Sequence, residues 1–148
     1  MNFEKYSAKG NEFINALAKE LGDSKDRERA GRVLRAVLHT LRDRISPDES
    51  LHLISQLPMY VKAIYVDGWN IKYSKSGQKN TLKDFIADLR EKSGKLAEID
   101  FGTVEEAEKA IKAVSKVMRQ YVSKGEMDDV RAMLSDQLKH LLDGSIDM

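Results

Sequence analysis

Cationic side chains recur along one face of a predicted helix, within 30–45, and again in a similar stretch of the second half, 107–122, which aligns with it without a gap. At about 100° per residue, four positions of the first stretch fall within an arc of about 80°. These positions, the first basic stripe, are Arg32, Arg35, His39 and Arg42, and the matching second basic stripe is Lys109, Lys112, Lys116 and Arg119. The arc lies nearly opposite the apolar side of the helix, so we expect it to face water. Such a surface favours an anionic partner: a phosphorylated ligand, a nucleic-acid backbone or an acidic protein.

The same pattern is also typical of an ordinary solvated helix face. Glu28 precedes Arg32 by four residues, and Glu105 precedes Lys109 by the same step, which is the favourable order for ion pairs along a helix. Acidic residues early in a helix and basic residues late also suit the helix dipole. A nucleic-acid partner is disfavoured because the net charge is only +1 and no aromatic residues or known binding motifs accompany the stripes.

Glu49 and His52 have the i, i+3 spacing found in carboxylate-bridged metal sites of helical bundles. Such a site needs a second pair of this kind, and the matching positions of the second half are Glu126 and Asp129, without a histidine. Glu49 is also explained as the capping-box partner of Ser46 at a helix start. We therefore predict no metal ion and no other cofactor.

Groups that could act in catalysis are scattered along the chain. His39, His52 and His140 show no spacing that indicates a nucleophile beside a base. The sequence has no cysteine, no Gly-x-Ser-x-Gly elbow and no glycine-rich phosphate loop after a strand. It therefore gives no support for an enzyme, and we assign no catalytic residue.

Three aromatic residues offer a second candidate surface. They are Tyr65, Trp69 and Tyr73, and they lie in or beside a polar stretch, residues 69–80, that we interpret as a connector. Aromatic side chains often anchor a protein partner. The alternative is intramolecular, with Trp69 fixing the connector in a groove between two helical units.

The elements that position these residues are predicted to be helices. Residues 30–45 and 107–122 each carry one wide apolar stripe, with Val37 and Val114 at matching positions. An apolar segment upstream of each stretch also repeats, at 13–17 and 85–89. In the second half this segment lies about five residues farther from the long helix, and we place these extra residues within 94–102. Asp23 or Ser24 is expected to cap the first long helix.

Helix-start signals recur as well. Ser46 with Glu49 and Ser123 with Glu126 are capping boxes that open a short helix in each half. In the first of these helices, Leu51, Ile54 and Leu57 are expected to form the buried side. We predict an all-α protein of two tandem helical repeats, about four helices each, packed as one pseudo-symmetric bundle. The first repeat is residues 1–68, the connector 69–80 and the second repeat 81–148.

The composition is that of a soluble globular protein. Of 148 residues, 41% are hydrophobic and 33% are charged. No apolar run approaches the ~18 residues of a membrane span, and the N-terminal residues lack a signal-peptide core. The absence of cysteine fits a reducing compartment. We expect a cytoplasmic protein without membrane contact.

One series of motifs in the first half is distinctive. It runs Arg35-Ala36-Val37-Leu38-x-x-Leu41-x-x-Arg44-Ile45, then Glu49, then Gln56-Leu57-Pro58, then Tyr65-Val66-Asp67-Gly68-Trp69. With these motifs the sequence resembles a family of uncharacterised bacterial proteins, domain of unknown function 2267. The second half departs from the pattern, with Met133 and Ser135 in place of the glutamine and the proline. The resemblance implies an all-helical, duplicated, soluble bacterial protein and implies no reaction.

These observations favour a non-enzymatic interaction or regulatory module, acting through a helix face or the groove between repeats. The alternative is binding of an anionic ligand, either a phosphorylated small molecule or nucleic acid, on the duplicated basic stripe. A homodimer is a further expectation, because duplicated helical units often reuse the surface that pairs them. The protein partner, the ligand and the biological process are not indicated by the sequence.

Overall fold

The fold is all-helical throughout the part that a computed structural model describes, residues 2–72 and 81–142. No strand occurs in these two segments, so the prediction of an all-α protein is confirmed. The α-helices are α1 (Phe3–Glu20), α2 (Arg27–Arg42), α3 (Pro47–Ile54), α4 (Met59–Val66), α5 (Leu82–Ser93), α6 (Ala97–Phe101), α7 (Val104–Met118), α8 (Lys124–Ala132) and α9 (Asp136–Leu141). A 3-10 turn, Gly94–Leu96, leads from α5 into α6. Within the same segments, no helix has both the length and the apolar character that crossing a membrane requires.

Helix starts follow the capping signals of the sequence, with one exception. At four helix starts the side-chain oxygen of the capping residue accepts a hydrogen bond from the backbone N–H three residues later in the chain. These capping residues are Ser46, Thr81, Thr103 and Ser123. The exception is α2, where the expected cap at Asp23 or Ser24 is wrong and Asp26 accepts the N–H of Arg29. Asp23 instead accepts the N–H of Lys25 within the preceding turn, so the helix begins later.

The two long helices form the centre of a single core. Val37 of α2 and Val114 of α7 are both buried, as predicted. Helix α2 packs on α7, α1 packs on both of them, and α5 packs on α2. Buried apolar residues from both halves form one continuous cluster. The two halves of the chain therefore share their hydrophobic stabilisation.

The buried side expected for the short helix α3 is confirmed in part: Leu57, just after the helix, is buried and Ile54 is partly buried against the core. Leu51 is exposed, whereas Ser50 and Leu53 are buried. The Ser50 hydroxyl lies 2.6 Å from the Tyr65 hydroxyl, so this polar pair satisfies itself inside the protein. The prediction for Leu51 was wrong because an eight-residue helix has too few turns for its apolar spacing to fix one face.

Gly10 marks the closest approach of α1 to α4. A Cβ added at Gly10 would come within 2.7 Å of Cβ and 2.9 Å of Cγ of Tyr60, atoms that cannot move without shifting the helix. We expect Gly10→Ala to lower the free energy of unfolding by about 1–3 kcal/mol, measured by urea denaturation. At Gly31 of α2 an added Cβ has no neighbouring heavy atom within 4 Å. Gly31→Ala should therefore raise the free energy of unfolding by about 0.5–1 kcal/mol. Stabilisation in both variants would contradict the close packing of α1 on α4.

Candidate functional site

The first basic stripe is divided between the surface and the interior. His39 and Arg42 are both buried against the C-terminal end of α4. His39 Nε2 donates to the carbonyl oxygen of Ile64 at 2.7 Å, and Arg42 Nη1 donates to those of Tyr65 at 2.7 Å and Asp67 at 3.0 Å. The expectation that the stripe faces water is therefore wrong for these two residues. The last carbonyls of a helix need donors once they are covered, and His39 and Arg42 supply them.

The buried pair contributes less charge to the surface than the sequence indicates. Burial lowers the pKa of His39, and the positive charges of Arg42, Arg35 and Lys92 lower it further, against the effect of the hydrogen bond to Ile64. His39 is therefore neutral at pH 7. Burial also lowers the pKa of Arg42, but from so high a starting value that the guanidinium stays charged.

Arg32 and Arg35 stay at the surface and line a groove between α2, the end of α5 and the short helix α6. The groove has a volume of about 420 Å³. Its lining residues are Arg32, Arg35, Ala36, His39, Lys92, Ser93, Leu96 and Asp100. We call this the α2 groove. These residues include three basic side chains, Arg32, Arg35 and Lys92, and one acidic side chain, Asp100.

Two of the cations in the α2 groove are held by buried acids. Arg32 donates from Nε and Nη2 to the two carboxylate oxygens of Asp100, at 2.9 and 3.1 Å. This hydrogen bond is the main reason why the pKa of Arg32 is raised. Lys92 Nζ donates to Asp43 Oδ2 at 3.0 Å. Both cations are thus fixed in position while part of each side chain remains accessible to a ligand.

Arg35 is the most available cation of the α2 groove. Its Nη1 lies 2.7 Å from Asp67 Oδ2, but the two side chains are 51% and 61% exposed. An exposed ion pair of this kind contributes little, about 0–1 kcal/mol. Arg35 can therefore exchange Asp67 for an anionic ligand at small cost.

The second basic stripe lines a corresponding groove of about 320 Å³ on α7, beside the C-terminal end of α1. The lining residues are Glu20, Glu105, Glu108, Lys109, Lys112, Ala113 and Lys116. In this α7 groove three lysines face three glutamates, and Lys116 Nζ lies 3.2 Å from Glu20 Oε1. Arg119 lies outside the groove and donates to Ser115 Oγ at 2.8 Å and to the Leu142 carbonyl at 3.3 Å. The α7 groove therefore has no surplus of positive charge.

The aromatic candidates are placed less favourably for a partner. Tyr65 is fully buried and packs edge-to-face on Trp69, with ring centroids 5.9 Å apart. Burial raises the pKa of the Tyr65 hydroxyl, which stays protonated at any physiological pH. Trp69 is partly exposed and packs on Tyr65 of α4, within the first half of the chain. Tyr73 lies outside the described residues, as does most of the predicted connector.

Lys92 and Asp100 are groove residues that the sequence analysis missed. Lys92 occupies in α5 the position that Glu20 occupies in α1 when the apolar segments of the two helices are aligned, but the sequence does not indicate that either position lines a groove. Asp100 lies in α6, within the stretch where the extra residues of the second half were placed. No spacing in the sequence indicates that α6 folds back toward Arg32.

Comparison with known proteins identifies a family for the chain. The family described as "Uncharacterized conserved protein (DUF2267)" matches residues 10–141. This range extends from the middle of α1 to the end of α9 and contains both grooves. No curated protein matches the chain.

Proposed function

The chain belongs to the DUF2267 family of uncharacterised conserved proteins, and we propose that it is a non-enzymatic binding module that holds an anionic ligand in the α2 groove. The observation that carries the proposal is that three cations line the groove with one carboxylate, and that one of these cations, Arg35, is paired only with the exposed Asp67. Asp43, the partner of Lys92, lies outside the lining. The α7 groove, built on the matching face, is balanced. The two copies have thus diverged in charge, and the first is the one suited to anions.

A phosphate-bearing small molecule fits this groove better than a nucleic acid does. The volume of about 420 Å³ lies in the range of small-ligand sites. The planar guanidinium groups of Arg32 and Arg35 match phosphate oxygens in pairs, and Lys92 adds a point charge. A net charge of +1 disfavours the extended basic surface that a nucleic-acid backbone requires.

We also propose that the two halves, residues 1–68 and 81–148, are copies related by an approximate two-fold axis, with residues 69–80 as the connector. Matching helices meet across the halves, α2 on α7 and α3 on α8. The first helix of each half packs on the long helix of the other, α1 on α7 and α5 on α2. This exchange is what a two-fold axis between two units requires.

Two reciprocal contacts at the helix starts support the axis. The Ser123 backbone N–H donates to Gln56 Oε1 at 2.7 Å, and the Ser46 N–H donates to Met133 Sδ at 3.5 Å. Gln56 and Met133 occupy matching positions of the two halves, as do Ser46 and Ser123. Each half therefore caps the short helix of the other with the same position. The glutamine of the distinctive Gln-Leu-Pro motif has a structural role in this arrangement.

The oligomeric state of the protein is a further prediction. A homodimer is expected from the duplication, and light scattering after size-exclusion chromatography would establish the mass in solution. The cytoplasmic location is likewise a prediction from composition.

Charge reversal at matching positions tests the anion-binding function. Arg35 and Lys112 are equivalent residues of the two halves and line the two different grooves. In isothermal titration calorimetry with inorganic pyrophosphate, we expect Arg35→Glu to weaken binding at least ten-fold, since a hydrogen bond to a charged group contributes about 1.5–3 kcal/mol. Lys112→Glu should change the affinity less than two-fold. Equal losses in both variants, or no binding by the unaltered protein, would refute the proposal.

A further inference from the structure

Two matching glutamates meet where α3 packs on α8. Glu49 and Glu126 are equivalent in the two halves, and each is the third residue of its helix. Glu49 does not accept the Ser46 backbone N–H, as a capping box requires, because that N–H donates to Met133 Sδ instead. The Ser123 N–H likewise donates to Gln56. The two carboxylates are therefore not engaged by the helix caps.

Each of these carboxylates has a buried oxygen that accepts no hydrogen bond from the described residues. With both groups ionised, Oε2 of Glu49 and Oε2 of Glu126 lack a hydrogen-bond partner in the described part of the chain. Glu126 as a whole is only 7% exposed. Burying an unpaired charge is strongly unfavourable. A pair of facing, buried carboxylates persists only if a proton or a cation neutralises it.

His52 completes a cluster of three potential ligands. Its Nδ1 lies 3.7 Å from Glu49 Oε2, and one ligand atom from each of Glu49, His52 and Glu126 lies within 4.8 Å of the others. A tetrahedral ion with bonds of about 2.0–2.2 Å separates its ligand atoms by about 3.4 Å. The His52 side chain is 70% exposed, so it is free to rotate toward the ion and leaves the cluster open to solvent.

The electrostatics of the cluster agree with a site for a cation. Asp129 is exposed and lies one turn after Glu126, at the rim of the cluster. These carboxylates would be stabilised in their ionised form by a positive ion between them.

We propose that Glu49, His52 and Glu126 bind one divalent first-row transition-metal ion, with Zn²⁺ as the probe, between α3 and α8. One imidazole and two carboxylates are a ligand set that suits Zn²⁺, and Asp129 or water would complete the coordination. The single Glu-x-x-His pair that argued against a metal in the sequence is sufficient here, because the other half supplies Glu126. Since α3 and α8 belong to different halves, the ion joins them.

Titration of the metal-free full-length protein with Zn²⁺ tests the site. We expect one ion per chain with a dissociation constant in the micromolar range or below, a higher melting temperature on binding and no response to Mg²⁺. Glu126→Gln retains the shape of the side chain and should weaken binding at least thirty-fold. His52→Ala alters an exposed side chain, so it should weaken binding similarly without loss of folding.

The matched control is His140→Ala, which removes an exposed histidine on α9 and should leave the affinity unchanged. Visible absorption of the Co²⁺-substituted protein provides a second readout, because loss of a nitrogen ligand in His52→Ala should shift the spectrum. Absence of stoichiometric Zn²⁺ binding would overturn the proposal and leave Glu49 and Glu126 sharing a proton. Binding that survives His52→Ala but not His140→Ala would overturn it as well.

Discussion

Replacement of Arg44 by methionine is expected to lower the free energy of unfolding by about 3–5 kcal/mol. Arg44, two residues after the end of α2, is 1% exposed, and its Nη2 lies 2.7 Å from Asp88 Oδ2 of α5. Nη1 donates to the Thr40 carbonyl at 3.1 Å, and the guanidinium lies over the ring of Phe85, 5.1 Å from its centroid. Methionine retains much of the volume but removes the charge that faces a largely buried carboxylate. Because α2 and α5 belong to different halves, the loss would weaken their junction.

The control for Arg44 is an exposed cation. Lys124 is paired with Asp128 at 3.6 Å, but its side chain is 93% exposed. Lys124→Met should change the free energy of unfolding by less than about 1 kcal/mol. Urea denaturation monitored by circular dichroism measures both variants. A loss in Arg44→Met no larger than that in Lys124→Met would show that the buried ion pair does not hold the halves together.

Asp100→Asn is expected to act on stability and on ligand binding in opposite directions. Asp100 is fully buried, accepts two hydrogen bonds from Arg32 and lies 3.7 Å from Arg29 Nε. The amide retains the shape but loses the charge and one acceptor, so we expect a loss of about 1–3 kcal/mol in the free energy of unfolding. Arg32 then faces the α2 groove without a neutralising carboxylate. Affinity for inorganic pyrophosphate should therefore rise several-fold.

Asp136→Asn is the matched control, since its exposed carboxylate lies on α9 away from both grooves. It should change neither the free energy of unfolding nor the affinity for pyrophosphate. Calorimetric titration and urea denaturation of the two variants measure both effects. Weaker binding in Asp100→Asn than in the unaltered protein would contradict the role of Asp100 as the acid that limits the charge of the groove.

The features that the sequence predicted well are those set by local patterns. The apolar stripe around Val37 and Val114 is buried because its spacing follows the turn of the helix. The caps at Ser46 and Ser123 form because a hydroxyl and an N–H three residues ahead are close in any helix start. Neither feature depends on which distant segment packs nearby.

The features that the sequence did not predict depend on tertiary contacts. His39 and Arg42 are buried because the end of α4 lies over them, and their spacing alone resembles that of a solvated face. The sequence predicts that Glu49 accepts the Ser46 N–H, but that N–H donates to Met133 Sδ of the other half. In both cases the partners of these side chains are set by distant segments of the folded chain, which local spacing does not reveal.

Amide chemical shifts of ¹⁵N-labelled protein, recorded during titration with inorganic pyrophosphate, show most directly where the anion binds. The largest shifts are predicted around the α2 groove, at Arg32, Arg35 and Ser93, and they should saturate together. Shifts at Lys109 and Lys112 should remain small. Saturating shifts centred on the α7 groove, or equal shifts at exposed lysines and arginines throughout the chain, would contradict anion binding in the α2 groove.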